Sequence, residues 1–190
     1  MRRKIIAVLG DASVEEGSNK LQLAYDTGKK IIDLGYRLQC GGGGAVMKAA
    51  SMGAHASEKY REGDVIGIIP SFDANICNEY IDISIPTGLD FYRNIIVANA
   101  SAVVAVGGGC GTLCEMSSAW TLKRMMIAYK NCDGWSSKVA DTKMDNRVRY
   151  PSIPEDKVFG ITSAEELTDL FANYLDKYDT YFEGIKDTLG

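Results

Sequence analysis

The stretch Ala102-Val-Val-Ala-Val-Gly-Gly-Gly-Cys-Gly-Thr-Leu-Cys-Glu115 passes directly from a β-branched apolar run, through a glycine cluster, into the start of a helical pattern. Five consecutive apolar residues without alternation mark a strand buried on both faces, the condition of strands in parallel sheets. Glycines at Gly107, Gly108, Gly109 and Gly111 then let the chain turn tightly and leave backbone N–H groups open, and a helix is expected over Thr112 to Lys123.

The same order recurs upstream. Lys4 to Leu9 reads as a strand and Gly10-Asp11-Ala12-Ser13 as a loop. Lys20 to Leu34 reads as a helix with Leu21, Ala24, Ile31 and Leu34 near helical spacing. Tyr36 to Cys40 is a second strand, stopped by Gly41-Gly42-Gly43-Gly44 before a helix over about Ala45 to Tyr60. Asp64 to Pro70 and Tyr80 to Ile85, the latter closing at Pro86, read as short strands, and Leu89 to Ala100 as a helix. Met126 to Tyr129 is a further strand. Lys130 to Pro154, polar and aperiodic, reads as a long loop serving as a lid or an interface. Lys157 to Ile161 is a last strand, followed by Thr162-Ser163-Ala164-Glu165-Glu166, a helix-start signature, and a helix carrying Leu167, Leu170, Phe171 and Leu175. The aromatic tail of Tyr174, Tyr178, Tyr181 and Phe182 is assigned to core or subunit packing.

Strands alternating with helices predict an α/β, Rossmann-like three-layer fold: a mainly parallel sheet covered by helices on both faces, over a single nucleotide-binding domain at 1–190. Ligands of such sheets bind at the carboxyl ends of the strands, where the glycine clusters fall.

Composition narrows the function. A net charge of -4 and a pI near 5.1 argue against a surface built to neutralise nucleic-acid phosphates, so no nucleic acid is expected as partner. The apolar run from Ile95 to Val106 is broken by Asn99 and Ser101 and is too short for a membrane span. The N-terminal apolar run is too short for an export signal. Five cysteines, Cys40, Cys77, Cys110, Cys114 and Cys132, include no CxxC pair, and His55 is the single histidine; reduced thiols in the cytoplasm and no metal site are expected. Cys110 and Cys114, one turn apart, are read as small apolar packing near a helix start, and His55 as a surface or packed helix residue.

A glycine loop opening a helix brings a phosphate close to unpaired N–H donors and the positive end of the helix dipole. Neither cluster is a Walker loop, since no GKS or GKT follows, and neither gives GxGxxG after the first strand; ATP hydrolysis and a standard dinucleotide site are not expected. Thr112 and Glu115, three apart, share a helix face. Two readings stand: both look toward the ligand of the glycine loop, or they form a capping box without chemistry.

The segment Gly107 to Glu115 resembles the PGGxGTxxE motif of the Lonely Guy (LOG) family of phosphoribohydrolases. Arg93 falls close to that family's catalytic arginine, and Gly41 to Met47 is similar to a contracted form of its GGGxxGxM loop. The GGGGxVM loop, the IPTG-x4-RN segment from Ile85 to Asn94 and the segment from Ala102 to Glu115 look like the sister branch that includes molybdenum cofactor carrier proteins and is related to the DNA-processing protein DprA. Gly107 for proline, Asn94 for lysine and Ser101 for aspartate depart from the LOG enzymes while leaving the arginine and glutamate in place.

The resemblance implies Arg93 and Glu115 as the catalytic pair. It implies a ligand-binding set of Gly10, Ser13, Gly41, Gly42, Gly43, Gly44, Met47, Pro86, Thr87, Gly88, Asn94, Gly107, Gly108, Gly109, Gly111 and Thr112. It implies a nucleoside 5'-monophosphate phosphoribohydrolase or, alternatively, a non-catalytic carrier or sensor of molybdenum cofactor or another phosphorylated ligand. The bound group would be a nucleotide monophosphate or molybdenum cofactor, with no cofactor required, and the assembly a homodimer or higher homo-oligomer.

Overall fold

Strands whose residues are all apolar lie inside a sheet covered on both sides, and β-strands of this kind at Ile5–Gly10, Val65–Ile69, Ala102–Val106 and Met125–Tyr129 run through the middle of the molecule. The computed structural model describes residues 2–15 and 17–178. Strands β1 (Ile5–Gly10), β2 (Arg37–Cys40), β3 (Val65–Ile69), β4 (Ile83–Pro86), β5 (Ala102–Val106), β6 (Met125–Tyr129) and β7 (Val158–Ile161) form one sheet in the order β4-β3-β2-β1-β5-β6-β7. Every pairing is parallel. Helices α1 (Asn19–Asp33), α2 (Val46–His55), α3 (Asn94–Ala98), α4 (Cys110–Thr121) and α5 (Trp135–Val139) lie in the connections, a 3-10 turn over Ala74–Ile76 lies between β3 and β4, and α6 (Leu167–Leu170) follows β7.

The period of two along each strand divides the core. Ile6, Val8, Val104, Val106 and Ile127 face the layer of α1, α2 and α6, whereas Ala7, Leu9, Val103, Ala105 and Met126 face Val97 of α3 and Met116 and Trp120 of α4. This is the three-layer parallel sheet expected from the sequence. The layer of α1 and α2 is unusually tight: a methyl group on Gly28 would lie 1.9 Å from the Ala50 carbonyl oxygen, and one on Gly53 1.9 Å from that of Tyr25. Two reciprocal glycines therefore set the crossing distance of these helices.

Several boundaries differ from the sequence reading, among them β4, which begins at Ile83 and not Tyr80, and α4, which runs Cys110–Thr121. The Leu89 to Ala100 segment is a 3-10 turn over Asp90–Arg93 followed by the short α3, because Gly88 (φ 63°) and Asp90 (φ 47°) take left-handed backbone incompatible with an earlier helical start. Helix α2 stops at His55, where the Ser57 hydroxyl takes over the Lys59 N–H and donates to Asp33. The Lys130 to Pro154 loop contains α5 and is tied down by a buried ion pair to the residues after it: Arg149 makes two bonds to Asp156, at 2.9 and 2.5 Å, with its guanidinium 3.6 Å above the Trp120 ring.

The helix-start signature works as read, with Glu166 accepting from the Thr162 and Ser163 N–H groups. Tyr178 is buried in the core and bonds Asp156, and the half-buried Tyr174 ring lies against Phe159; Tyr181 and Phe182 lie outside the described residues. His55 is half-buried, stacked on Tyr60, with Nε2 3.0 Å from the Tyr80 carbonyl. Among the described residues no helix is long and apolar enough to cross a membrane.

Candidate functional site

The chain leaves β1 toward β2 on one side and β5 lies on the other, so the strand order reverses at β1, the place where open α/β sheets bind ligands. Register makes the junction compact. Gly10 of β1 is paired with Val106 of β5, so the loops that follow them, Asp11 to Ser13 and Gly107 to Gly109, leave the sheet side by side. A cleft of about 420 Å³ opens there, within the size range of small-ligand sites.

Two side chains that bracket β5 meet on the cleft floor. Arg93 precedes the strand at the end of the 3-10 turn, Glu115 follows it in α4, and Arg93 Nη1 donates to Glu115 Oε1 at 2.9 Å. Both are largely buried, with side-chain exposures of 16% and 10%. Burial pushes the Glu115 carboxyl up from 4.5 to about 7, against the opposing pull of the Arg93 charge. The arginine lies flat against the β2 loop: a methyl group on Gly41 would sit 2.7 Å from Arg93 Nη2 and 3.1 Å from Cζ.

The capping-box reading of Thr112 and Glu115 is corrected. Helix α4 begins at Cys110 with Gly109 as its N-cap and no side-chain cap, Thr112 Oγ1 donates to the Gly10 carbonyl at 3.1 Å, and Glu115 turns to Arg93. The first-turn N–H groups of Cys110, Gly111 and Thr112 have no intrahelical partner, and apart from the adjoining chain nothing stands within 4 Å of where a Cβ on Gly109 or Gly111 would be. The open N–H groups, the helix dipole and the Arg93 guanidinium form a setting for an anion.

The glycine loop is held from behind. The Gly107 N–H donates to Ser136 Oγ and the Gly108 N–H to Asp11 Oδ2, each at 2.9 Å; Gly107 and Gly108 carbonyls accept from the Ser136 and Trp135 N–H groups. Lys20 bridges Asp11 and Asp133 at 2.8 and 3.0 Å, which offsets the Asp11 charge beside the loop. Segment 133–136 is thus the loop's support, a role its polar aperiodic sequence did not announce.

Of the residues picked from sequence, Gly10, Ser13, Gly41, Met47, Arg93, Asn94, Gly109, Gly111, Thr112 and Glu115 line the cleft. Gly107 and Gly108 lie buried behind it. Gly42 and Gly43 present their carbonyls to Asn78, and they and Gly44 shape the β2–α2 connection without forming the wall. Pro86, Thr87 and Gly88 also stand off the cleft and tie β4 to the end of β3, with Thr87 Oγ1 donating to Ile69 O and the Gly88 N–H to Ser71 O. Wall residues not picked are Val8, Leu9, Asp11, Ala12, Pro70, Asp90 and Phe91; Asp11, next to Gly10, was the one with a signal. The packed role read for Cys110 is also corrected, since it is exposed at the start of α4 while Cys114 is half-buried. Among the described residues no group of three His, Cys, Asp or Glu side chains is placed to hold a metal ion.

Residues 3–158 match the SLOG cluster4 family. A protein of Archaeoglobus fulgidus with no described function is 36% identical over 120 residues, 63% of this chain and 75% of that one. The molybdenum cofactor binding protein of Rippkaea orientalis is 31% identical, with a TM-score of 0.71 over 90% of this chain and 97% of that one. The molybdenum cofactor carrier protein of Chlamydomonas reinhardtii is 28% identical, with a TM-score of 0.67 over 90% and 100%.

Proposed function

The chain belongs to the SLOG cluster4 family, and on that footing we propose that its cleft binds a nucleoside 5'-monophosphate and hydrolyses the N-glycosidic bond to free base and ribose 5-phosphate. The observation that carries this reading is the buried Arg93–Glu115 pair facing the open N–H groups of α4 across one cleft. The 5'-phosphate lies at Gly109, Gly111 and Thr112. As the bond from C1' to the base nitrogen breaks, its electron pair leaves with the base and positive charge grows on the ribose. Ionised Glu115 stabilises that charge and takes a proton from the water that attacks C1', while the departing base nitrogen takes up a proton from solvent and Glu115 later returns its own to solvent. Arg93 orients the carboxylate and keeps it ionised more readily than burial alone permits.

A second reading has its own support. The structural relatives from Rippkaea and Chlamydomonas carry molybdenum cofactor in their names, and the same donors suit the phosphate of such a cargo without any positioned water. Under either reading a homodimer fits the surface: Ile83 and Ile85 of β4, Phe91 and Tyr92 of the 3-10 turn and Ile95 of α3 are exposed apolar residues.

The test is incubation of the pure protein with a panel of nucleoside monophosphates, following free base by chromatography. Release that disappears in Glu115→Gln supports the hydrolase. No release from any nucleotide, with ligand-induced thermal stabilisation kept in both proteins, overturns it in favour of the carrier.

A further inference from the structure

The cleft has a far end that the phosphate loop does not reach. In the strand order, β3 lies three places from β5, and adjacent strands are spaced at ~4.8 Å, so the loops leaving them are about 14 Å apart. The end above β3 is formed by Pro70, Asp90 and Phe91, with Arg93 and Glu115 between it and the glycine loop. A ribose phosphate anchored at α4 stops short of this end, and a nucleotide's ring system extends to it.

The backbone of Asp90 is fixed there. Its N–H donates to the Pro70 carbonyl at 3.0 Å and its backbone holds a left-handed φ of 47°. Asp90 is exposed at the rim of the cleft, and its carboxylate makes no hydrogen bond or ion pair among the described residues, which leaves both oxygens open to a ligand. Phe91 beside it is 55% exposed and supplies an apolar face to the same wall.

A carboxylate with two free oxygens accepts two parallel N–H bonds. A ring N–H next to an exocyclic amine offers that pair, and the 2-amino-4-oxopyrimidine edge has it. Adenine and cytosine place a ring-nitrogen lone pair beside their amine and would turn it against the carboxylate. We infer that Asp90 selects ligands bearing a 2-amino-4-oxopyrimidine edge, with Phe91 packing against the ring face. Guanine nucleotides and phosphorylated pterins share this chemistry. The inference rests on the reading of the cleft as a site for phosphorylated ligands.

The experiment is equilibrium binding of GMP, neopterin monophosphate, IMP, AMP and ribose 5-phosphate to the full chain and to Asp90→Asn. GMP or neopterin monophosphate is expected to bind about tenfold or more tighter than AMP, the range one bidentate pair gives. IMP, which keeps the ring N–H and lacks the 2-amino group, falls between. The tighter of the two 2-amino-4-oxo ligands identifies the source. Asp90→Asn erases the preference and leaves ribose 5-phosphate affinity unchanged. AMP binding as tightly as both 2-amino-4-oxo ligands, or a preference that survives in Asp90→Asn, overturns the inference while ribose 5-phosphate binding keeps the cleft reading. Failure of every ligand, ribose 5-phosphate included, overturns both.

Discussion

The guanidinium of Arg93 lies against the backbone of Gly41, at a distance that leaves no room for a Cβ. Gly41→Ala is therefore expected to push Arg93 off Glu115 and to lower turnover or ligand affinity by roughly tenfold or more, the equivalent of about 1.4 kcal/mol. Gly43→Ala, whose new methyl would meet only Met47 Cε at 3.3 Å, is the control and should change either quantity little. Equal effects of the two substitutions would show that the Gly41 contact does not position the arginine.

The raised carboxyl of Glu115 makes both stability and activity depend on pH. Its folded value of about 7 lies above the ordinary 4.5, so its contribution is fully present below about 4.5 and is lost as pH rises through 7. The loss is on the order of 3 kcal/mol, from about 1.36 kcal/mol for each unit. Denaturant unfolding between pH 4.5 and 8 should show this decline in the native protein and a flatter profile in Glu115→Gln. Base release, which needs the ionised carboxylate, should rise over the same window with an apparent pKa near 7. A rate that falls as pH rises would assign Glu115 the role of proton donor.

Ser136 gives the 130–154 segment a measurable part in the site. Ser136→Ala removes the acceptor of the buried Gly107 N–H, a loss of about 1–3 kcal/mol. The melting temperature should fall by roughly 2–4 °C for each kcal/mol in a chain of this size, and affinity for ribose 5-phosphate should weaken with it. Ser137→Ala, which removes only a bond to the Gly134 carbonyl, should leave that affinity unchanged. Full affinity in Ser136→Ala would mean that the loop holds its shape without this support.

The sequence states the fold where local chemistry and global architecture agree. Ala102 to Val106 followed by glycines and a helical pattern admits one arrangement, and the parallel sheet follows from repeating it. The cleft is legible at Gly41, Thr112 and Glu115, which come from such junctions, and at Arg93 through the family resemblance. Asp90 and Phe91 are not, because they reach the wall through a left-handed turn hung on Pro70, a long-range bond with no sequence period. Ser136 is hidden for a similar reason, as the Gly107 N–H it accepts from is 29 residues away along the chain. The helix-sharing argument for Thr112 and Glu115 gives their common face correctly and misses their partners, since Gly10 ends β1 and Arg93 sits in the turn ahead of β5, both far along the chain from α4.

The sheet's two borders are finished differently. On β7 the Asp141 N–H and the Thr142 carbonyl bond Val158, and the Asp141 carboxylate accepts from the Gly160 N–H, so that margin is already closed by the chain itself. On β4 the margin carries outward-facing Ile83 and Ile85 and ends at Pro86, which has no N–H to offer. Fibrous growth by strand addition needs an open margin at both ends of each unit, whereas a unit with a single open margin can be joined once and then has nothing left to extend. Among the described residues only the β4 margin is open, so strand addition to this sheet would stop at a pair.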